Sequence, residues 1–378
     1  MRTVSVDELK SGMITAAPIL TKRGQEIAAA GTSLTNQLIA RLSFYKIETV
    51  DIKDEEDDKP KEEPAPVKEV VQEPAPAPVK PTWISETETH SQRVRKSDDF
   101  KEFQINYGLL LAKLKTDFTD YIEGNQAIDI DELYESIGVL YHGKTTIQVF
   151  DMIHNIRSVD DSTYAHSVNV ALVSRIIGKW AKLSKEDLKV LTVAGLLHDI
   201  GKTQIPDEVL NKPGKPTDEE FALIKKHPKM GYDILKKHQV DPRIRKVALM
   251  HHERSDGSGY PMELESDEID DFASIVAIAD VYDAMTAART YRQPLCPFEV
   301  IAAFEKDGLQ KYNPGFILTF LERVAATYQN NRIILNDGRS ANIVLLNKNS
   351  ISKPMVQLQD GSCIDLAREP GLFIKSIL

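Results

Sequence analysis

The spacing of apolar and polar positions divides the chain into stretches of different period. Near the N-terminus Val4 and Val6 alternate with polar neighbours, Ser11-Gly12 marks a turn, and Ile14 to Leu20 reads as a strand. Arg23-Gly24 then predicts a hairpin, Thr35 to Phe44 is amphipathic, and Thr49 to Ile52 is a last short strand. Residues 1–53 are therefore expected to form a small α+β accessory module, and no chemical motif falls within it. From about Asp99 to Gln329 the period is helical, with apolar residues recurring at three and four. Caps punctuate that run. Ser184 precedes Asp187, Thr217 and Glu220 make a capping box, and Asp241-Pro242 sets a cap before a first-turn proline. After Asn330 the period shortens to that of strands, at Ile333 to Leu335, Asn342 to Leu346 and Met355 to Leu358. Asn336-Asp337-Gly338 and Asp360-Gly361 are the turns between them, so residues 331–378 predict a small β-barrel or open sheet. The expected class is mainly α: a helical connector over 83–145 and a helical bundle over 146–330, flanked by the two small modules.

One stretch has no period at all. Asp54 to Lys80 reads DEEDDKPKEEPAPVKEVVQEPAPAPVK, with nine acids against four bases, and so carries half of the chain's net charge of −10. It cannot bury enough apolar surface to offset the entropy of ordering, and its Pro-Ala-Pro steps favour an extended form. Residues 54–82 are read as a disordered linker, with a reach on the order of 80 Å at ~3.1 Å per residue.

Composition narrows the chemistry. At 378 residues and 42% apolar content the chain supports two or three domains. The acidic balance argues against a nucleic acid polymer as partner, because neutralising its phosphates needs clustered Lys and Arg. Cys296 and Cys363 stand far apart, which leaves neither a disulfide framework nor a cysteine zinc site. No run of ~18 apolar residues predicts a membrane span, and MRTVSVDELKSGM lacks the apolar core of a signal peptide. A soluble, cytoplasmic protein is expected.

The nine histidines carry the chemical information. His166 precedes Val170, Val173 and Ile177 at helical spacing. Leu188, Leu191 and Gly195 lead to His198, with Asp199 next to it. His227 follows Leu223 and Ile224, Ile244 and Val247 lead to His251 and His252, and Asp280 follows Val276 on a helix over 274–287. Helical wheels turn these five histidines and two aspartates towards one interior. A lone histidine on an apolar face is usually a satisfied core residue; the combination points to metal. A buried carboxylate needs a partner, and mixed imidazole and carboxylate ligands suit Fe, Mn or Zn better than Mg or Ca. Seven ligands exceed one tetrahedral site, and two metals bridged by a carboxylate would use them. A hydroxide held between two metals would be a nucleophile at neutral pH, suited to phosphate ester hydrolysis. Lys202, Arg289 and Arg292 are candidates to hold a substrate phosphate. Asp256 to Pro261 supplies a glycine-rich wall directly after the histidine pair.

These residues resemble the HD-GYP family. The match runs through His198-Asp199-Ile200-Gly201-Lys202, Asn211-Lys212-Pro213-Gly214, His227-Pro228, HHERSDGSGYP from His251 to Pro261, and ADVYDAMTAARTYR from Ala279 to Arg292. It covers roughly Val149 to Tyr328. The resemblance implies an HD-type helical bundle and a bacterial phosphodiesterase that linearises cyclic di-GMP to pGpG or onward to GMP, with two or three iron or manganese ions. Carried over, it makes His166, His198, Asp199 and Asp280 ligands of a first metal. Asp199 would bridge to a second, held by His227, His251 and His252. Asp199 and Lys202 are the catalytic pair it implies. Lys202, Arg289, Arg292 and Tyr260 are its substrate residues, and Gly259, Tyr260 and Pro261 its signature loop. Members with a third metal carry a glutamate where this chain has Ser162, so two divalent ions are expected. Ser255 stands in place of an aromatic residue and Ser274 in place of an arginine. GGDEF-domain or other signalling proteins, and a second copy in a homodimer, are the partners considered. Two other functions compete: a catalytically impaired receptor or interaction hub for cyclic di-GMP, and an HD phosphohydrolase acting on another cyclic dinucleotide or nucleotide.

Overall fold

The computed structural model describes residues 2–10, 12–20, 26–34, 38–39, 42, 47, 49–53, 89–156, 163–212, 214–287 and 295–378. They fall into two compact units, Met1–Thr89 and His90–Leu378. The proposed hairpin at 23–24, most of the amphipathic stretch at 35–44 and the linker at 54–82 lie outside the described residues.

In the first unit β1 (Arg2–Ser5) pairs antiparallel with β4 (Thr49–Ile52), and β2 (Ile19–Leu20) with β3 (Glu26–Ala28). Val4, Val6, Leu34, Leu42, Val50 and Ile52 are among the side chains of its separate core. The strand expected over Ile14 to Leu20 is reduced to β2 and two isolated bridges, Ile14 to Ser33 and Thr15 to Ile52. Pro18 explains the break, since it offers no N–H to a ladder and constrains the residue before it.

The second unit is a helical bundle with a sheet attached. Its longer helices among the described residues are α1 (His90–Lys96), α2 (Asp98–Glu123), α3 (Ile130–Gly138), α4 (Thr146–Ile156), α5 (Thr163–Trp180), α6 (Lys185–Leu197), α7 (Asp218–Ile224), α8 (His227–Lys237), α9 (Pro242–Met250), α10 (Asp271–Thr286), α11 (Pro297–Ala303) and α12 (Pro314–Thr327). The expected caps form: Ser184 Oγ accepts from Asp187 N, the Thr217–Glu220 box closes, and Asp241 caps α9 with Pro242 behind it. α5 and α10 are buried nearly all round, which marks them as the centre of the bundle. α6 crosses α5 closely at Gly195, where an added Cβ would sit 3.0 Å from the Ala171 Cα. The Tyr107 hydroxyl on α2 lies 2.9 Å from Asn169 Oδ1 and 3.1 Å from the Ala165 carbonyl, fixing the first turn of α5.

The tail is an open five-stranded antiparallel sheet in the order β8-β7-β6-β5-β9, from β5 (Arg332–Leu335), β6 (Ser340–Leu345), β7 (Met355–Leu358), β8 (Cys363–Asp365) and β9 (Ile374–Ile377). Its inward side chains, Ile333, Leu335, Ile343, Val356 and Ile374, belong to the same continuous core as Phe103 on α2 and Val168 on α5. Glu305, in a single π-helical turn over Phe304–Gly308, fastens the sheet to the bundle. Its carboxylate accepts from the backbone N–H of Ile351 at 2.5 Å and of Ser352 at 3.2 Å, and from the Ser352 hydroxyl. Glu305→Ala leaves three partly buried donors without an acceptor and is expected to cost about 2 kcal/mol. Denaturant titration measures the loss, and amide exchange at Ile351 and Ser352 should accelerate about tenfold while the helices stay protected.

Candidate metal centre

The centre is assembled at the ends of helices more than along their faces. His166 and Asp280 do sit inside α5 and α10. His198 and His251, however, are the C-caps of α6 and α9, with Asp199 and His252 immediately beyond. His227 opens α8 instead of ending the helix that holds Leu223 and Ile224. Pro228 explains that difference, because a proline is accommodated in a first turn and breaks a helix interior. Lys202 lies in a 3-10 turn, Ile200–Gln204, whose Gly201 packs directly on α8: a Cβ there would meet the His227 carbonyl oxygen at 2.0 Å. Only glycine lets the segment bearing Asp199 approach the segment bearing His227 this closely.

All seven proposed ligands converge. Asp199, 2% exposed, offers each of its oxygens to a different pair of imidazoles. Oδ1 lies 3.2 Å from His227 Nε2 and 3.6 Å from His251 Nε2. Oδ2 lies 3.3 Å from His198 Nε2, 3.7 Å from His166 Nε2 and 2.5 Å from Lys202 Nζ. Ligand atoms of Asp199, His227, His251 and His252 fall within 4.8 Å of one another, and so do those of His166, His198 and Asp199. Asp280 joins both sets, with Oδ1 3.1 Å from His166 Nε2 and Oδ2 3.8 Å from His252 Nδ1.

The outward face of each ring decides what the inward face can do. His198 Nδ1 lies 2.8 Å from the Gly195 carbonyl, His227 Nδ1 2.7 Å from that of Ile224, and His251 Nδ1 3.0 Å from that of Ala248. A carbonyl only accepts, so each of these Nδ1 atoms carries the hydrogen and each Nε2 presents a lone pair. His166 Nδ1 likewise donates to Asp283 Oδ2 at 2.8 Å. His227 and His251 therefore aim two lone pairs at each other across 3.2 Å, beside a carboxylate oxygen that also can only accept. Buried His198 Nε2 and Asp199 Oδ1 find no hydrogen-bond partner among the described residues. Acceptors crowded in this way are repulsive unless cations lie between them. The donor set fits divalent metal ions.

The proton affinities agree. Burial would raise the Asp199 pKa, but His198 and Lys202 beside it hold the carboxyl well below the usual carboxylate range. Asp280, also resisting burial, is pulled down chiefly by its contact with His166. Burial lowers His251 to about 4 and, with His251 as neighbour, pushes His252 down as well, so both rings are neutral and free to ligate. His166 goes the other way. Burial lowers it, but Asp280 and Asp283 win and raise it to about 9; the carboxylates that favour a proton there favour a metal ion equally.

The signature loop borders the centre. The Tyr260 ring stacks on His252, with ring centroids 4.6 Å apart and planes at 25°. Gly259 touches the chain at Glu253, where a Cβ would lie 2.4 Å from the Glu253 Cα. Two residues absent from the candidate set reveal themselves in the structure. Asp283 orients His166, and its sequence signal was the three-residue spacing from Asp280. Glu253 is buried and accepts from the Met262 N–H at 2.7 Å and the Leu264 N–H at 3.0 Å, anchoring the loop after Pro261. Its signal was an acid lodged directly after the histidine pair. Ser255 and Ser274 lie off the metal-facing set: the Ser255 N–H donates to the Lys311 carbonyl, and Ser274 sits in the first turn of α10. Arg289, Arg292 and Ser162 lie outside the described residues.

Residues 152–315 match the family model described as HD domain. The chain is 34% identical over 242 residues to a Pseudomonas aeruginosa protein named cyclic di-GMP phosphodiesterase PA4108, covering 62% of this chain and 56% of that protein. It is 36% identical over 179 residues to a Thermotoga maritima cyclic di-GMP phosphodiesterase, covering 47% and 48% of the two. A Vibrio cholerae protein named 3'3'-cGAMP-specific phosphodiesterase 2 is 35% identical over 193 residues, covering 50% of this chain and 37% of that protein. The chain spans about half or less of the length of these curated relatives.

Removing the partner of His166 tests the outer layer of the centre. Asp283→Asn is expected to weaken metal binding by about 10- to 100-fold, read by chelator competition, with helical circular dichroism unchanged.

Proposed function

We propose that this chain, which belongs to the HD-GYP branch of the HD domain family, is a metal-dependent phosphodiesterase that hydrolyses cyclic di-GMP to linear pGpG, GMP or both. One observation carries the reading: the buried Asp199 carboxylate stands between two sets of inward lone pairs that only cations can reconcile. His166, His198, Asp199 and Asp280 would hold one ion, and Asp199, His227, His251 and His252 the other. Imidazole and carboxylate donors together favour iron or manganese. Two such ions, when bound, supply a nucleophilic water at neutral pH and positive charge for the phosphoryl and leaving oxygens.

The chain's own groups do the rest. Lys202, with its ammonium 2.5 Å from Asp199 Oδ2, is placed to pair with the scissile phosphate next to that carboxylate. Tyr260 walls the site over His252, and Gly259, Pro261 and the Glu253 anchor hold it there. Arg289 and Arg292 follow Asp280 in the chain and are assigned to phosphate binding. Among the described residues no helix is long and apolar enough to cross a membrane. We place the protein in the cytoplasm, with GGDEF-domain or other signalling proteins as partners and a homodimer as its assembly.

Protein purified without oxygen and loaded with Fe or Mn is expected to bind two ions and to cleave cyclic di-GMP. Asp199→Ala is expected to lose both ions and the activity while retaining its helical circular dichroism. Turnover like that of the unaltered protein in this variant overturns the assignment. The same assay with cyclic GMP-AMP decides between cyclic di-GMP and the substrate named for the Vibrio relative: preferential cleavage of the mixed dinucleotide moves the assignment to it.

A further inference from the structure

We infer that Phe221 and Lys225 form an outer subsite for the far half of a cyclic dinucleotide, Phe221 stacking on a nucleobase and Lys225 pairing with the phosphate that is not cut. The inference deepens the proposed function and rests on it.

Phe221 projects from α7 with 46% of its surface exposed, an unusual setting for a phenyl ring. Lys225, one turn further on, holds its ammonium 5.2 Å from the centre of that ring and 6.0 Å from the centre of the Tyr260 ring. Tyr260 in turn stacks on His252. A continuous run of ring and cation contacts thus leads from an exposed aromatic surface to the metal-facing histidines. Among the described residues no carboxylate pairs with Lys225, so a phosphate can take its ammonium without breaking an ion pair.

The platform is held in advance of any ligand. The Glu220 carboxylate, adjacent to Phe221, accepts from the Thr217 N–H at 2.7 Å and from Lys212 Nζ at 2.9 and 2.8 Å. These contacts tie the start of α7 to Lys212 and give that residue of the motif a use. A platform fixed before binding loses less entropy when the ligand arrives.

Substrate chemistry supplies the rest. A cyclic dinucleotide carries two phosphodiesters and two bases. When one phosphodiester lies at the metals beside Lys202, the ring carries the other away from them, still negatively charged. A second cation set outward from Tyr260, next to a flat apolar face, suits that half of the molecule. A small acyclic diester has no such half and would not reach it.

The test uses full-length, metal-loaded protein carrying Phe221→Ala, Phe221→Trp, Lys225→Ala or Lys225→Arg. Cyclic di-GMP and bis(4-nitrophenyl) phosphate are compared as substrates. Both alanine variants are expected to raise KM for cyclic di-GMP about tenfold, with kcat within about twofold. Metal content and cleavage of the small diester should stay unchanged, and Trp and Arg should restore KM. An unchanged KM in either alanine variant overturns the role of that residue. A parallel fall on both substrates overturns the subsite, since it means the centre itself was disturbed. Unaltered protein that cleaves the small diester but not cyclic di-GMP refutes the proposed function instead, and the subsite with it.

Discussion

The architecture around the metal centre depends on where four imidazole N–H groups point. Each is directed away from the centre, three to carbonyls at helix ends and one to Asp283, so His198, His227 and His251 present acceptors inward while His166 turns its Nε2 to Asp280. The carbonyl oxygens left over in a helix's last turn are natural partners for such groups. Placing histidines at helix ends therefore satisfies the backbone and fixes the ring tautomer in a single contact. It also leaves Asp199 Oδ1 among lone pairs with no donor of its own, a situation that favours cations, while Oδ2 takes the Lys202 ammonium.

Close packing makes this arrangement reachable. Gly195 lets α6 lie against α5, and Gly201 lets the turn after Asp199 rest on the first turn of α8. Tyr107 braces α5 through the carbonyl of Ala165, the residue before His166, and through Asn169. The bundle thus acts as a jig that brings five separate segments to one point. The chemistry resides in side chains, but its tolerances are set by two positions that have none.

The sequence carried much of this openly, and its limits are physical. His166 and Asp280 lie within helices, where a wheel correctly gives the inward direction. His198, His227 and His251 lie at helix ends, where the wheel no longer applies; they face inward because each Nδ1 is held by a carbonyl in the last turn of a helix, α7 in the case of His227. Pro228 could have signalled the new helix, since a proline four residues after Ile224 is poorly placed in a continuous one. Asp283 and Glu253 went unassigned because each acts by orienting other groups, and that depends on contacts between residues far apart in the chain. The tail read correctly as short strands with turns. Its union with the bundle core was not legible, because alternation shows that one face is buried but not against what.

That union bears on how the protein could have been assembled in evolution. A module that shares its neighbour's interior cannot be exchanged by recombination without exposing greasy surface on both sides of the cut. Ile333, Ile343 and Val356 belong to one continuous core with the helices, and β9 packs on α11. The sheet should accordingly have been inherited together with the bundle, its loops drifting freely while its inward residues changed only in step with those they touch.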